Sequence, residues 1–173
     1  QVREKKARSD EKCFRFTRQL LQKIAILYFF DKLFNVEWMV KRQIKIGDRV
    51  ITDDSDCFVI AEIGHNHQGD LDTAKALFRA AKECGVDAVK LQKRHNRLLY
   101  TRKYFDTPYN AEHAFGPTYG LHRQALEFNK REYKALKKYA KKLGLTFFAT
   151  PFDTKSVDFL EEIDVPCYKT AST

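Results

Sequence analysis

The chain has 173 residues, 43% hydrophobic and 32% charged, with a formal net charge of +9. That is enough for one domain with a real core, and the positive balance favours anionic partners without choosing among phosphorylated metabolites, nucleic acid and an acidic membrane surface. Cys13, Cys57, Cys84 and Cys167 form no CxxC pair and match no structural zinc spacing, so they read as reduced thiols of a cytoplasmic protein, and the longest apolar run, Ile24 to Phe30, is far too short to span a membrane.

Residues 1–38 carry nine Lys/Arg against five Asp/Glu. A polar charge run over 1–12 leads into a basic amphipathic helix over 14–35, with Phe16, Leu20, Ile24 and Leu27 at helical spacing. This stretch reads as an extension upstream of the functional domain, which is expected to begin at Met39, the only methionine. Residues 40–52 alternate apolar and polar around Gly47-Asp48, a hairpin signal.

Phe58-Val59-Ile60-Ala61 then begins a buried strand that gives way to the polar turn Glu62-Ile63-Gly64-His65-Asn66-His67-Gln68-Gly69. A helix is expected from Asp70 to Cys84, stopped by Gly85, and a strand over Val86–Gln92. Residues 93–128 form a long segment of the length that binding loops have. Asn129 and Glu132 predict a capping box for a helix running to Gly144. Leu145–Thr150 is a third strand, a third helix starts at Asp153 or Thr154, and Pro166–Ser172 is a fourth strand. Strands alternating with helices imply a parallel sheet. Four strands and three helices are half of a (β/α)8 barrel, so the expected fold is α/β, a partial TIM barrel after an N-terminal hairpin. A doubly wound sheet is the alternative, without the GxGxxG turn of dinucleotide binders. Unpaired first and fourth strands would be exposed edges, so the chain is expected to be the N-terminal part of a longer protein.

In such a barrel the chemistry sits at the C-terminal strand ends. These carry Glu62, Asn66 and His67; then Lys90 and Gln92, followed by Lys93 and Arg94; then Thr150 and Asp153; then Lys169 and Ser172. Lys90 and Lys169 lie in otherwise apolar strands, where a lysine is costly to bury unless an anion pairs with it. With the Thr150 and Ser172 hydroxyls they describe a pocket for a small phosphorylated or carboxylated substrate. The competing reading pairs each lysine with a structural carboxylate such as Glu62. His65 and His67 invite a metal reading, but no third ligand is fixed by spacing. His95, His113 and His122 read as surface or lid histidines.

Five stretches carry a resemblance: Ala61–Gly69 (AEIGHNHQG), Val89–Lys93 (VKLQK), Thr118-Tyr119-Gly120 with His122-Arg123, Phe148–Asp153 (FATPFD) and Val165–Ser172 (VPCYKTAS). In this order they make residues 39–173 resemble the sialic acid synthase (N-acetylneuraminate synthase) family. The resemblance implies a TIM barrel closed below by the hairpin. It implies condensation of phosphoenolpyruvate with N-acetylmannosamine or a related amino sugar, giving N-acetylneuraminate and phosphate. Lys90, Thr150, Lys169 and Ser172 would hold phosphoenolpyruvate, Glu62 would act near the reacting carbons, and Gln92 would lie on the sugar side. Asn66 and His67 would shape the site.

The family also implies a divalent metal, Mn2+ or Mg2+, with ligands expected beyond Thr173, and a homodimer of the full-length form. This chain alone is therefore expected to be inactive. The alternatives are a synthase for legionaminate or pseudaminate, or a non-catalytic protein binding nucleic acid or anionic membrane through residues 1–38. Neither nucleic acid nor membrane is expected as a partner under the leading reading, because solvated helix lysines and an anion pocket account for the charge of residues 39–173.

Overall fold

The computed structural model describes residues 42–172; the expectations for residues 1–38 and for Met39 lie outside them. β1 (Gln43–Ile46) and β2 (Arg49–Thr52) form the expected antiparallel hairpin, in register Gln43↔Thr52 and Ile46↔Arg49. Gly47 turns it with φ of 60°, the positive value that a two-residue hairpin turn demands.

β3 (Ile60–Gly64), β4 (Ala88–Lys93) and β5 (Thr146–Pro151) make one parallel sheet in that order. α1 (Leu71–Glu83) links β3 to β4, and α5 (Lys130–Lys142) precedes β5. α6 (Thr154–Ile163) follows β5. The helix starts follow the sequence: Asp70 accepts from Thr73 N, Asn129 and Glu132 form a reciprocal capping box, and Asp153 accepts from Ser156 N. Each satisfies a backbone N–H that the first helical turn leaves unpaired. Odd and even residues of the strands face opposite ways. Val89, Leu91, Phe147 and Ala149 pack with Phe78, Tyr133, Leu136, Ala140 and Leu160 in one buried cluster, at about 1.5–3 kcal/mol for each large side chain withdrawn from water.

Two expectations are corrected. The 93–128 segment contains three short helices, α2 (Asn96–Leu99), α3 (Arg102–Phe105) and α4 (Tyr119–Ala125). They are too short to leave a hydrophobic period, and Thr101 and Thr118 cap the last two locally. Residues 166–172 make one parallel bridge, Ala149↔Tyr168, in place of a fourth strand. Pro166 donates no N–H, and among the described residues β5 is the segment's one strand neighbour. Of the described residues, no helix is long and apolar enough to cross a membrane.

Asp87 ties the base together. Its carboxylate pairs with Arg49 of the hairpin and accepts from Val59 N at 2.8 Å. Its own N–H donates to Val59 O at 2.9 Å, and its carbonyl accepts from Thr146 N at 3.0 Å.

Candidate functional site

Glu62 and Lys90 are register partners, so their side chains leave the sheet on the same face. The Lys90 ammonium donates to Glu62 Oε2. Lys90 is only 8% exposed, while the Glu62 side chain is 45% exposed. Burial, and then the charge of nearby Lys169, hold the Lys90 ammonium below the usual lysine range. Lys169 is exposed and donates to Thr170 O at 3.0 Å. The structural-carboxylate reading of Lys90 is thus realised, yet a second cation stands beside the pair and Glu62 opens to solvent.

One step along the same face, Gln92 and Thr150 are register partners. Thr150 is buried, and its Oγ1 has no hydrogen-bond partner. A buried hydroxyl left unpaired is costly, and such an atom at a strand end calls for a ligand or water. A bulge between Glu62 and Gly64 shifts the β3–β4 register. Gly64 has φ of 56°, and a Cβ there would lie 3.3 Å from Glu62 Oε1 and 3.5 Å from Gln92 Nε2. The glycine therefore lets the acid and the amide stand side by side.

Four predicted residues, Glu62, Lys90, Gln92 and Thr150, converge on one face, and Lys169 adjoins them. The other three do not join them. Asn66 is exposed and donates through Nδ2 to Ile63 O at 3.0 Å, closing the turn. His67 is 1% exposed, stacks on Phe128 with centroids 4.2 Å apart, and accepts through Nδ1 from Gly69 N. Burial first, then the charge of His65, lower its pKa to about 4, so it is neutral at pH 7. Ser172 is exposed, with no hydrogen bond to another site residue among the described residues.

Next to Gln92 lies a buried ionic network that sequence reasoning did not assemble. Lys93 points to the opposite face of β4, where it donates to Glu127 Oε2 at 2.8 Å and Phe128 O at 3.0 Å, beneath the rings of Tyr133 and Phe159. His65 Nε2 lies 3.3 Å from Glu127 Oε1. Burial, reinforced by Arg94 and Arg123, lowers the His65 pKa despite Glu127. A neutral imidazole with Nε2–H toward Glu127 leaves Nδ1 to accept from Arg94 Nη1 at 3.3 Å and Arg123 Nη2 at 3.1 Å. Burial alone would raise the Glu127 carboxyl, but the His65 hydrogen bond and Lys93 bring it below its usual range. The signal available in the sequence was Glu127 itself, a lone acid between Leu126 and Phe128, both buried.

A cavity of about 1020 Å³ at the other end of the sheet, lined by Gly47, Arg49, Lys82, Asp87 and Lys137 among others, contains none of these groups. Active chemistry in parallel sheets belongs to the C-terminal strand ends, which makes the Glu62–Lys90–Thr150 face the candidate site. Among the described residues no group of three or more His, Cys, Asp or Glu could hold a metal ion.

Fold and strand-end chemistry together define an α/β protein with a cluster of polar and cationic side chains at the C-terminal ends of a parallel sheet. Comparison with known sequences narrows the class: the chain belongs to the NeuB family, which residues 77–173 match. The N-acetylneuraminate-9-phosphate synthase of Mus musculus is 47% identical over 116 residues, 67% of this chain and 32% of the mouse protein. The N,N'-diacetyllegionaminic acid synthase of Legionella pneumophila is 39% identical over 67% of this chain and 33% of its own length. In structure the chain resembles the N-acetylneuraminic acid synthetase of Leptospira borgpetersenii, solved in complex with citrate. The TM-score is 0.60 and the identity 30%, over 75% of this chain and 41% of that one. The chain spans about a third of the length of the curated relatives it matches.

Proposed function

We propose that this chain supplies the phosphoenolpyruvate-binding face of a nonulosonate synthase, which condenses phosphoenolpyruvate with N-acetylmannosamine or a related amino sugar to give N-acetylneuraminate and phosphate. The observation that carries the reading is Lys90, buried beside a second lysine and an unpartnered Thr150 hydroxyl. Two ammoniums and a hydroxyl suit a ligand that carries both a carboxylate and a phosphate.

In the reaction, C3 of phosphoenolpyruvate forms a bond to the aldehyde carbon of the open-chain sugar. Water adds to the oxocarbenium-like C2, and the C2–O bond to phosphate breaks. Lys90 and Lys169 hold the carboxylate and phosphate and offset the charge that leaves with the phosphate. Thr150 donates to one of the ligand's oxygens. Glu62, held by Lys90 and open to solvent, stabilises positive charge at C2 and takes the proton of the adding water. Gln92 faces the sugar. Mn2+ or Mg2+ belongs to the family expectation for the longer enzyme, as does pairing into a homodimer. The described residues do not form a site for the metal, and no step here runs through it.

Binding, not turnover, is the property this chain is proposed to show alone. Titration with phosphoenolpyruvate, followed by its 31P resonance, should give saturable binding that Lys90→Ala and Lys169→Ala each weaken at least tenfold. Unchanged binding in both variants sinks the assignment. The legionaminate-type alternative draws its support from the Legionella relative, and it differs in the sugar but not in this face.

A further inference from the structure

One buried acid, taken together with the synthase reading on which this inference rests, bears on how the site keeps its shape. β3 and β4 pair as far as Gly64↔Leu91, so Gln92 lies past the last rung of that ladder. Yet Gln92 and Glu62 stand together: a Cβ on Gly64 would lie 3.3 Å from the acid and 3.5 Å from the amide. Something other than the ladder sets that spacing.

The start of α5 and the residues just before it supply the hold. Tyr133 OH donates to Gln92 O at 3.0 Å. Lys93 Nζ donates to Glu127 Oε2 at 2.8 Å and to Phe128 O at 3.0 Å. Arg94 N donates to Glu127 Oε2 at 3.3 Å. Gln92, Lys93 and Arg94 are thus gripped in succession from one short segment, and Glu127 takes two of them. Its other oxygen, Oε1, lies 3.3 Å from His65 Nε2 in the turn after β3. One carboxylate therefore spans the two strand ends on which Glu62 and Gln92 stand.

Stability alone does not account for this acid. The Lys93 and Glu127 side chains are only 12% and 10% exposed, and replacing a buried ion pair by apolar side chains of similar volume is often neutral or stabilising. The rings of Tyr133 and Phe159 already flank Lys93, so an apolar pair would suit the surroundings. Such a pair could not accept the Arg94 N–H just past the end of β4, nor hold the His65 ring. A carboxylate does both with one group.

We propose that Glu127 is a positioning residue: it fastens the end of β4 to the turn after β3, and so holds the Gln92 amide beside the Glu62 carboxylate at the spacing that the acceptor sugar requires. It acts from the helix side of β4, where Lys93 points, and reaches the ligand only through Gln92.

The test uses the whole chain with the pair made apolar, Lys93→Met together with Glu127→Leu, and NMR of the Gln92 side-chain amide. The double variant should unfold at the parent's urea midpoint or above it. Without ligand, its Gln92 amide should move toward the shifts of a solvent-exposed glutamine, and its Arg94 backbone amide should exchange about tenfold faster. Glu127→Gln keeps the length and one acceptor oxygen, and should move both signals the same way by less. Parent-like Gln92 signals in a folded double variant overturn the proposal, because Glu127 then only fills space. If the double variant does not fold, Glu127→Gln decides alone, and Gln92 signals identical to the parent's overturn it. N-acetylmannosamine, titrated in saturating phosphoenolpyruvate and followed at the Gln92 amide, should bind the double variant about fivefold more weakly than the parent. Equal affinity also overturns the proposal. A parent whose Gln92 amide responds to neither ligand counts instead against the synthase reading, and the ligand-free signals still decide the role of Glu127.

Discussion

Glu62 and Lys90, 28 residues apart in sequence, face each other as register partners and join in an ion pair at the edge of the site. The pair is lopsided, with its cation buried and its anion half in water. Neutralising the acid should therefore free the ammonium for a ligand. Glu62→Gln is expected to bind phosphoenolpyruvate at least as tightly as the parent and up to about tenfold more so, the equivalent of about 1.4 kcal/mol. In an active synthase carrying this face the same change should abolish turnover. Weaker binding by Glu62→Gln would mean that the carboxylate orders the pocket instead of competing for it.

Thr150 gives a prediction of opposite sign for stability and for binding. Its Oγ1 is buried without a partner, so Thr150→Val removes a desolvated hydroxyl that contributes nothing to the free fold. Urea unfolding should show stability unchanged or raised by up to about 1 kcal/mol. Affinity for phosphoenolpyruvate should fall by about two- to tenfold, the worth of one neutral hydrogen bond. A clear loss of stability would show that the hydroxyl already has a structural partner.

His67 ties stability to pH. The unfolded chain takes up this proton near pH 6.5, the folded chain only near 4. The unfolded state therefore binds more protons in between, and stability present above pH 6.5 is lost as the pH falls toward 4. The loss from this residue between pH 7 and 5 is about 2 kcal/mol. His65, also lowered, adds in the same direction. Urea midpoints at the two pH values should converge in His67→Gln relative to the parent. An undiminished pH slope in the variant would remove His67 as its source.

Gly69 and Gly85 share a left-handed backbone, with φ of 76° and 78°, but differ in surroundings. A Cβ on Gly69 would come within 2.3 Å of Ala125 O, whereas none of the neighbours of Gly85 lies within 4 Å. Gly85→Ala should cost about 1 kcal/mol from backbone strain alone. Gly69→Ala should cost about 2–4 kcal/mol, because the carbonyl at the end of α4 must also move. Since that carbonyl belongs to the segment carrying Arg123, limited proteolysis should cut residues 96–125 faster in Gly69→Ala. Equal stability losses in the two variants would refute the close approach.

Chelation separates the face described here from metal chemistry. Lysines and hydroxyls need no cation to hold an anion, so EDTA should leave phosphoenolpyruvate binding by this chain unchanged. A tenfold loss, restored by Mn2+, would show that a metal contributes to this face.

Much of the architecture could be read from residue order. The helix starts near Asp70, Asn129 and Asp153 were legible, and the Asn129 cap with them, because capping is local chemistry, written within four residues. The face of Glu62, Lys90, Gln92 and Thr150 was legible because a polar residue in an apolar strand is conspicuous. Ser172 was less so: whether its hydroxyl meets the lysines depends on how residues 166–172 pair, and no local pattern fixes that. The Arg94–His65–Arg123 network stayed hidden for the same reason. His65 and Arg123 are 58 residues apart, and nothing in the sequence around either one names the other as its partner. Lys93 was misleading in the other direction. It continues the polar run of Lys90 and Gln92, but three residues along a strand reverses the face, and it serves the helix layer instead.

That reversal gives Asp87 a significance beyond its hydrogen bonds. Side chains alternate along β4, so sliding this strand by a single residue against β3 would deliver Val89 and Leu91 to the site and thrust Lys90 among the aromatic rings. Asp87, one residue before β4, grips Val59, one residue before β3, and Arg49 in the hairpin below. It works as a stop on a sliding rule, and the chemistry at one end of the sheet is indexed by a carboxylate at the other.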